Sequence, residues 1–420
     1  MFRALLNAFK IKELRNRILF TIGILALYRF GANLTLPGVD ATVILKQVEQ
    51  GIMGMLDLFS GGALGNFSVF SLGIMPYITA TIIMQLLQVV IPKLDQLAKE
   101  GEVGRRKINQ ISRYLTVGLA LMQSVAMTFY FRNFGAIPNF DWMHVLIVVV
   151  TLTAGTAVIM WLGELINLHG IGNGISLIIF ASIISRIPGG LISLFRLKGT
   201  NWLFIGLFAV LTVGVVVVII LITQGERRIP VQYAKRIVGR KVFGGQSTYI
   251  PLKVNQSGVM PIILAVSVLL FPATIAQFIN VPWLQSIANW LSPSIAGKIN
   301  PVYIIIYSVL IIIFAYFYTA ISFNPNDTAE NLRKYGGYIP GMRPGKSTSD
   351  FLSNILNRIT LPGAIFLAII AILPEILIDT LKIPFKFGGT SVIIAVSVAL
   401  ETMKWIESQL MMRDYEGFIK

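Results

Sequence analysis

An apolar run in the first half of the chain opens with Gly73-Ile74-Met75-Pro76-Tyr77-Ile78, and one in the second half opens with Gly258-Val259-Met260-Pro261-Ile262-Ile263. The two strings share Gly, Met, Pro and Ile at the same spacing. In membrane carriers and channels, internal repeats mark a site between two related halves. The echo therefore predicts a duplicated fold in which Ile78 corresponds to Ile263.

Two later apolar runs echo each other in the same way. One opens with Gly174-Ile175-Ser176-Leu177-Ile178-Ile179 and the other with Gly389-Thr390-Ser391-Val392-Ile393-Ile394, so Ile179 corresponds to Ile394. The echoing runs are the second and the fifth in each of two halves of five spans. Because five is odd, the second half enters the membrane from the opposite side, and the repeat is predicted to be inverted. Such short matches can also arise by chance, since branched apolar residues fill most membrane helices.

Composition and hydropathy predict an all-α polytopic membrane protein. Of the 420 residues, 55% are hydrophobic and only 13% are charged, against roughly 25% charged residues in an average soluble domain. A membrane-spanning helix needs about 20 mainly apolar residues. The predicted spans are 18-36, 69-91, 111-131, 143-166, 175-195, 202-223, 258-279, 302-322, 359-380 and 390-406. They divide into an N-terminal half, 1-195, and a C-terminal half, 196-420.

The basic residues predict the orientation. With a cytosolic N terminus, the cytosolic parts are 1-17, 92-113, 164-174, 225-255, 323-358 and 404-420. These parts hold 26 of the 35 Lys and Arg residues. The external parts hold 8, a number that includes Arg186, and Arg29 lies inside the first span. Because basic loops are retained in the cytosol, this split supports ten spans with both termini cytosolic. The segment before the first span is interpreted as cytosolic and amphipathic rather than as a removed signal peptide.

The sequence argues against catalysis and ion coupling. It contains no Cys and only two His, so thiol chemistry is excluded and neither a metal site nor a cofactor is expected. A secondary transporter needs polar or ionisable ligands at the bilayer midplane, and a membrane enzyme needs reactive groups inside its spans. Arg29 is the clear ionisable residue within a span, and helix packing or snorkelling accounts for it. The net charge of +16 suits anionic lipid, nucleic acid or an acidic protein.

The echoing isoleucines predict an apolar constriction at the pseudo-symmetry axis. The four residues, one from each echoing span, are Ile78, Ile179, Ile263 and Ile394. Ile74 and Ile175 precede two of them by one helical turn and lie on the same faces. A ring of bulky aliphatic side chains excludes water and ions, and it suits a gated pore for large, varied cargo. Plain helix packing is the alternative interpretation.

Three segments between the spans are unusual. The external segment 37-68 is too polar and Gly-rich to span, and its middle forms either a short helix folded back into the external mouth or a loose loop. The cytosolic loop 225-255 is predicted to be a projecting hairpin with a basic tip, and Pro and Gly in 323-358 fix a turn that holds Arg343 outward. Such loops usually reflect topology and lipid contact, but two long ones suggest docking of a large anionic partner.

At these residues the chain resembles the SecY family over essentially its whole length. The strings that carry the resemblance are 55-64 (Met-Leu-Asp-Leu-Phe-Ser-Gly-Gly-Ala-Leu), 72-87, 101-107 (Gly-Glu-Val-Gly-Arg-Arg-Lys), 170-175 (Gly-Ile-Gly-Asn-Gly-Ile), 225-236, 340-345 and 388-391. The resemblance implies ten transmembrane helices in two inverted halves and an hourglass pore with an isoleucine ring. It also implies a short re-entrant plug helix at about 55-68 and a lateral opening to lipid between spans two and seven.

The resemblance also implies roles for individual residues. The pore ring is Ile74, Ile78, Ile175, Ile179, Ile263 and Ile394, with Met260 beside it as a departure from the usual branched residue. The plug residues are Leu58, Phe59, Ser60, Gly61, Gly62 and Leu64. The SecA or ribosome contacts are Arg227, Arg228, Arg236, Arg240 and Arg343. Gln85, two turns along span two from Ile78, is assigned to the lateral gate, with helix packing as the alternative.

The function implied by the resemblance is that of a protein-conducting channel in the bacterial plasma membrane. The channel would pass unfolded secretory proteins that carry signal sequences and would release membrane helices into lipid. The sequence has no complete Gly-x4-Gly-Lys-Ser/Thr loop for phosphate, so the driving free energy must come from a docked ATPase or from translation. The implied partners are the membrane subunits SecE and SecG, the motor SecA, ribosomes and membrane lipid.

Overall fold

Helices account for every predicted span in the part of the chain that the structure describes. The structure is a computed structural model, and it describes residues 8–48, 52–137, 141–196, 202–233, 236–238, 241–243, 247–278, 281–295, 298–381 and 389–417. Each of the ten predicted spans coincides with one helix or with a pair of helices.

The N-terminal half contributes spans one to five. Its helices are α1 (Lys12–Ala32), α2 (Ala41–Val48), α3 (Ile52–Ser60), α4 (Met75–Val90), α5 (Pro92–Lys99), α6 (Glu102–Asn133), α7 (Trp142–His169), α8 (Gly174–Ile184) and α9 (Ile187–Arg196). Spans one to four are α1, α4, α6 and α7. The fifth predicted span is not one continuous helix, because it divides into α8 and α9 at Ser185 and Arg186. Pro188 has no N–H to continue α8 and is favoured in the first turn of a new helix.

The C-terminal half contributes spans six to ten. Its helices are α10 (Trp202–Gln224), α11 (Met260–Phe278), α12 (Pro282–Trp290), α13 (Pro301–Ser322), α14 (Pro325–Lys334), α15 (Lys346–Leu381) and α16 (Gly389–Gly417). Spans six to ten are α10, α11, α13, α15 and α16. The start of α13 shows the usual local signals, since the Asn300 side chain accepts a hydrogen bond from the N–H of Val302 and Pro301 follows the cap.

Length and composition alone would find fewer spans than ten. Among the described helices, α6, α7, α13 and α15 are long and apolar enough to cross a membrane singly, and α4 with α5 is a fifth candidate bent by 102°. α8 has only 11 residues. α1 and α16 carry charged residues near their predicted cytosolic ends. A short helix is tolerated at membrane depth where other protein segments surround it, and α8 packs between α1, α7 and α16.

The two halves meet along two seams. α11 packs against α4 and α6, and α16 packs against α8. Within the N-terminal half, α6 packs on α4 and α7, and α1 packs on α7 and α8. Within the C-terminal half, α13 packs on α11 and α15. A single large cluster of buried apolar side chains extends across both halves, and it holds the echoing segments together.

The two long regions that are predicted to be cytosolic, 225-255 and 323-358, share one sheet. The described strands of the chain are β1 (Glu226–Tyr233), β2 (Arg236–Val238), β3 (Lys241–Phe243), β4 (Ser247–Lys253), β5 (Ser294–Ile295), β6 (Lys298–Ile299) and β7 (Gly337–Tyr338). They form three sheets, which are β4-β1-β7, β2-β3 and β5-β6. β1 pairs antiparallel with β4, which confirms the predicted hairpin, and its end at Gln232 and Tyr233 pairs with β7. The region 323-358 is therefore not an open loop. Its helix α14, its strand β7 and the first turns of α15 bury an apolar cluster against the hairpin that includes Val231, Leu252 and Leu352.

Candidate functional site

The openings of spans two and seven adopt the same local geometry. Gly73 and Gly258 have φ angles of 57° and 62°, a region that glycine enters without strain. The helices α4 and α11 begin two residues later, each with proline at its second position. The N–H of Ile78 donates to the carbonyl four residues earlier at 3.1 Å, and that of Ile263 does the same at 3.2 Å. The echo between the two strings is therefore present in the backbone as well as in the sequence.

The six predicted ring residues belong to, or pack against, the apolar cluster that extends across both halves. Five of them are buried, with exposed fractions between 0% for Ile394 and 7% for Ile78. Ile175 is half-buried and packs against the same cluster. Ile179 from α8 and Ile263 from α11 bring the two halves into this cluster. Burial of this kind is expected both of a closed constriction and of plain helix packing.

A polar cavity of about 300 Å³ adjoins the cluster. Met260 and Ser176 line it, and Ser176 directly follows a predicted ring residue. Lys253, Glu401 and Lys404 also line the cavity, and the first and last of these lie in regions predicted to be cytosolic. Met260 is half-buried, and it lies at the boundary between the apolar cluster and this cavity.

The predicted plug at about 55-68 is a helix followed by turns. The helix α3 begins earlier than predicted, at Ile52, and ends at Ser60. Gly61 and Gly62 follow with φ angles of 68° and 90°, so the helix stops where glycine can enter the left-handed region. A Cβ on Gly61 would lie 2.8 Å from the Cα of Ser182 on α8, which leaves room only for glycine.

The plug side chains divide between two apolar clusters. Phe59 belongs to the same cluster as the ring isoleucines, while Leu64 packs with Phe67 and Phe131 in a second cluster. Ser60 and Gly61 are also buried, and Leu58 and Gly62 are half-buried. The helix α3 packs against α8. The plug therefore lies against the N-terminal half and contacts the ring cluster.

Polar groups on span one contact the plug backbone. The hydroxyl of Tyr28 donates to the carbonyl of Ser60 at 3.1 Å and lies 2.7 Å from the hydroxyl of Ser182. Nη1 of Arg29 donates to the carbonyl of Gly61 at 2.9 Å. Arg29 therefore has a partner in the plug, which the sequence alone did not indicate.

An ion pair joins the plug to the break in span five. Nη2 of Arg186 lies 2.7 Å from Oδ2 of Asp57, and the two side chains are 34% and 3% exposed. Oδ1 of Asp57 accepts the N–H of Gly65 at 2.8 Å. The carboxylate of Asp57 therefore fixes the turn after α3 and also binds the arginine.

The predicted docking arginines are exposed where the structure describes their side chains. Arg227 and Arg228 lie on β1, and the guanidinium of Arg228 lies 4.8 Å from the ring centre of Tyr249. Arg343 lies in the predicted turn, between glycines with φ angles of 83° and 106°. The side chain of Arg236 and the whole of Arg240 lie outside the described residues.

An exposed ion pair lies on α14, in the same region as Arg343. Nζ of Lys334 lies 3.1 Å from Oε1 of Glu330. Its hydrogen bond and its charge lower the pKa of Glu330. Because the pair is exposed, it contributes little to stability.

The predicted sides of the lateral gate are in contact. α4 packs against α11. Gln85 is half-buried on α4. The Ser267 hydroxyl on α11 donates to the carbonyl of Ile263 at 2.8 Å, so it is satisfied within its own helix. The seam is closed in this conformation.

Comparison with known proteins identifies the family. The family profile named SecY matches residues 68–403. The chain is 46% identical over 443 aligned positions to the protein translocase subunit SecY of Streptomyces scabiei, with both chains covered completely. It is also 46% identical over 433 positions to the subunit of the same name from Halalkalibacterium halodurans, again with complete coverage. The chain belongs to the SecY family.

Solved structures of SecY and Sec61 share the fold. A structure of a protein-conducting channel superposes with a TM-score of 0.65 at 19% identity, and a SecY structure whose plug domain stabilises the closed channel and maintains a membrane seal gives 0.64 at 18%. Sec61 from the canine ribosome-channel complex of the endoplasmic reticulum gives 0.60 at 17% identity. Each match covers 94% of this chain and 92% of the other. The predicted SecY-like fold of ten membrane helices in two inverted halves is confirmed, and the chain is a multi-pass membrane protein.

The sequence missed the polar groups that hold the plug of this SecY-family chain. Arg186 was counted only as an external charge, and Asp57 was only one member of a family string. The available signal was that Asp57 and Arg186 each lie in an apolar stretch of sequence. A charge in such a stretch indicates a partner elsewhere, because buried charges are normally paired. Their pairing could not be read from the sequence, since the two residues lie on distant segments.

Proposed function

We propose that this SecY-family chain is the protein-conducting subunit of a bacterial translocase, and that it acts as a passive channel rather than as an enzyme. The observation that carries the proposal is that six isoleucines from four predicted spans, two in each half, belong to or pack against one apolar cluster that extends across both halves. A constriction without polar ligands can seal a pore and yet pass chains of any sequence. The described residues also include no group of His, Cys, Asp and Glu that could hold a metal ion.

The path runs between the two halves, 1-195 and 196-420. Ile74, Ile78, Ile175, Ile179, Ile263 and Ile394 form the ring, and the segment 55-68 is the plug on its external side. The seam between α4 and α11, with Gln85 on α4, is the lateral gate through which signal sequences and membrane helices reach lipid. Since α11 belongs to one half and α4 to the other, a relative motion of the halves opens the pore and the gate together.

The partners bind from the cytosol and within the membrane. The sheet of β1, β4 and β7 presents Arg227 and Arg228, and the nearby turn presents Arg343, to a ribosome or to SecA. The family resemblance assigns Arg236 and Arg240 to the same partners. The Sec61 relative in a ribosome-channel complex supports the ribosome as one partner. SecE and SecG accompany the chain in the bacterial plasma membrane, with both of its termini in the cytosol.

Crosslinking of a stalled secretory precursor tests the proposal. Photoreactive residues replace Ile78, Ile179, Ile263 and Ile394 one at a time in reconstituted translocase. Val150 on α7 and Ile305 on α13, which are 56% and 64% exposed, serve as controls on outer helices. We expect crosslinks from all four ring positions and from neither control. A precursor that is still translocated but crosslinks to none of the four would place the path elsewhere.

A further inference from the structure

The plug is held only by the N-terminal half among the polar contacts that the structure describes. Tyr28 and Arg29 on α1 bind the carbonyls of Ser60 and Gly61. Arg186, at the break between α8 and α9, binds the Asp57 carboxylate. A motion of the C-terminal half would therefore leave the plug in place, and opening requires these contacts to break or to move with the plug.

The ion pair differs from the two hydrogen bonds because it joins two charged groups, and breaking it does not leave both charges buried. The side chain of Arg186 is 34% exposed and can be hydrated when it leaves Asp57, whereas Asp57 is 3% exposed. Asp57 also accepts the Gly65 N–H, so its carboxylate is tied to the turn inside the plug. When the plug leaves, Arg186 thus stays on the break between α8 and α9, and the Asp57 carboxylate moves with the plug.

The break in span five gives Arg186 its position. The helix α8 ends at Ile184, and Pro188 lies in the first turn of α9. In one continuous helix, the charged side chain of Arg186 would start from the middle of an apolar span, where a charge is costly. At the break, the guanidinium reaches the buried carboxylate and keeps part of its surface exposed.

We propose that Asp57 and Arg186 are positioning residues that fix the plug on the N-terminal half in the closed channel. The pair sets how readily the plug leaves, and therefore both the ion leak of the resting channel and the signal strength needed to open it. This inference rests on the proposed function of the chain as a protein-conducting channel.

The chemistry of the pair predicts an order among variants. Arg186→Gln leaves the carboxylate buried without its cation, which is the most costly arrangement of a former ion pair. Asp57→Asn keeps a side-chain oxygen for the Gly65 N–H and leaves an arginine that water can reach. The double variant Asp57→Asn/Arg186→Gln has no stranded charge. We therefore expect Arg186→Gln to disturb the closed plug most, and the double variant to resemble Asp57→Asn.

Potassium efflux from proteoliposomes that contain the full chain with its small membrane subunits, and no precursor, measures the resting leak. We expect Arg186→Gln to raise efflux about tenfold or more, because stranding a buried charge costs more than one decade of an equilibrium constant. The double variant should leak less than Arg186→Gln. Arg113→Gln is the matched control, since it breaks an ion pair of 2.6 Å between Arg113 and Glu164 of the same half, away from the plug.

A second readout separates plug positioning from general loss of stability. A precursor with a weakened signal sequence should be translocated faster by Arg186→Gln than by the unaltered chain, whereas a merely destabilised chain would translocate it more slowly. Equal leaks for Arg186→Gln and Arg113→Gln, or a double variant that leaks more than Arg186→Gln, would overturn the proposal. If the unaltered chain translocates a normal precursor in the same vesicles, such a result rejects the ion pair alone. If it translocates none with SecA and ATP, the proposed function itself fails.

Discussion

Two adjacent isoleucines on α16 provide a direct test of the predicted ring. Ile394 and Ile393 follow each other on α16 and are 0% and 1% exposed, so they are equally buried and chemically identical. Only Ile394 is predicted to face the pore. Ile394→Ala and Ile393→Ala therefore remove the same atoms from the same apolar cluster, on different faces of one helix.

The expected magnitudes follow from this burial. Truncating a fully buried isoleucine to alanine costs about 2–5 kcal/mol of folding stability. For Ile393 the cost applies to the closed and the open channel alike, so the equilibrium between them does not change. For Ile394 opening uncovers the side chain, and most of the cost falls on the closed state alone. A bias of about 2 kcal/mol toward the open state corresponds to a roughly 30-fold larger resting leak.

Ion efflux from proteoliposomes without precursor measures the leak, and thermal unfolding in detergent measures the stability. We expect both variants to lose similar stability, and only Ile394→Ala to leak. Similar leaks from the two variants would mean that packing defects open the channel nonspecifically. A tight Ile394→Ala channel with reduced stability would remove Ile394 from the ring.

Three further changes test the packing, the docking surface and the gate. Gly155→Ala on α7 should lower stability by about 1–3 kcal/mol, because a Cβ there would overlap the carbonyl oxygen of Val69, and thermal unfolding measures the loss. Arg343→Ala should reduce precursor-stimulated ATP hydrolysis by SecA about tenfold or more, because a charge-assisted hydrogen bond contributes about 1.5–3 kcal/mol. Gln85→Leu should stabilise the closed gate by about 1 kcal/mol, because leucine gains more than glutamine from burial in an apolar seam. Precursors with short apolar signals should then be translocated roughly fivefold less.

Each of these changes has a control in the same region. A Cβ on Gly118 of α6 meets nothing within 4 Å, so Gly118→Ala should keep or raise stability, and an equal loss at both glycines would contradict the predicted overlap. Arg333→Ala on α14 removes another exposed arginine of the region 323-358 and should leave SecA activation unchanged. If Gln85→Leu changes translocation of strong and weak signals alike, or of neither, Gln85 serves helix packing only.

The sequence alone was sufficient to predict a fold of ten membrane helices in two halves, and it also predicts their orientation. Hydropathy and the distribution of basic residues are properties of short segments, and the bilayer acts on each segment in the same way. The echo at Gly73 and Gly258 was also readable, because a glycine with positive φ followed by proline in the first helical turn is a local backbone requirement. The family strings extended this reading to the ring and the plug.

The tertiary structure was needed for every contact between distant segments. It placed Arg29 on the plug, paired Arg186 with Asp57 and joined β7 to the hairpin of β1 and β4. No local pattern encodes which buried acceptor an arginine binds or which strand the two-residue strand β7 pairs with. Those choices are made when segments pack and every buried polar group must find a partner. The sequence was therefore enough to find the segments that cross the membrane, because hydropathy is a local property, whereas the partners of Arg29, Arg186 and β7 were decided only when distant segments packed together.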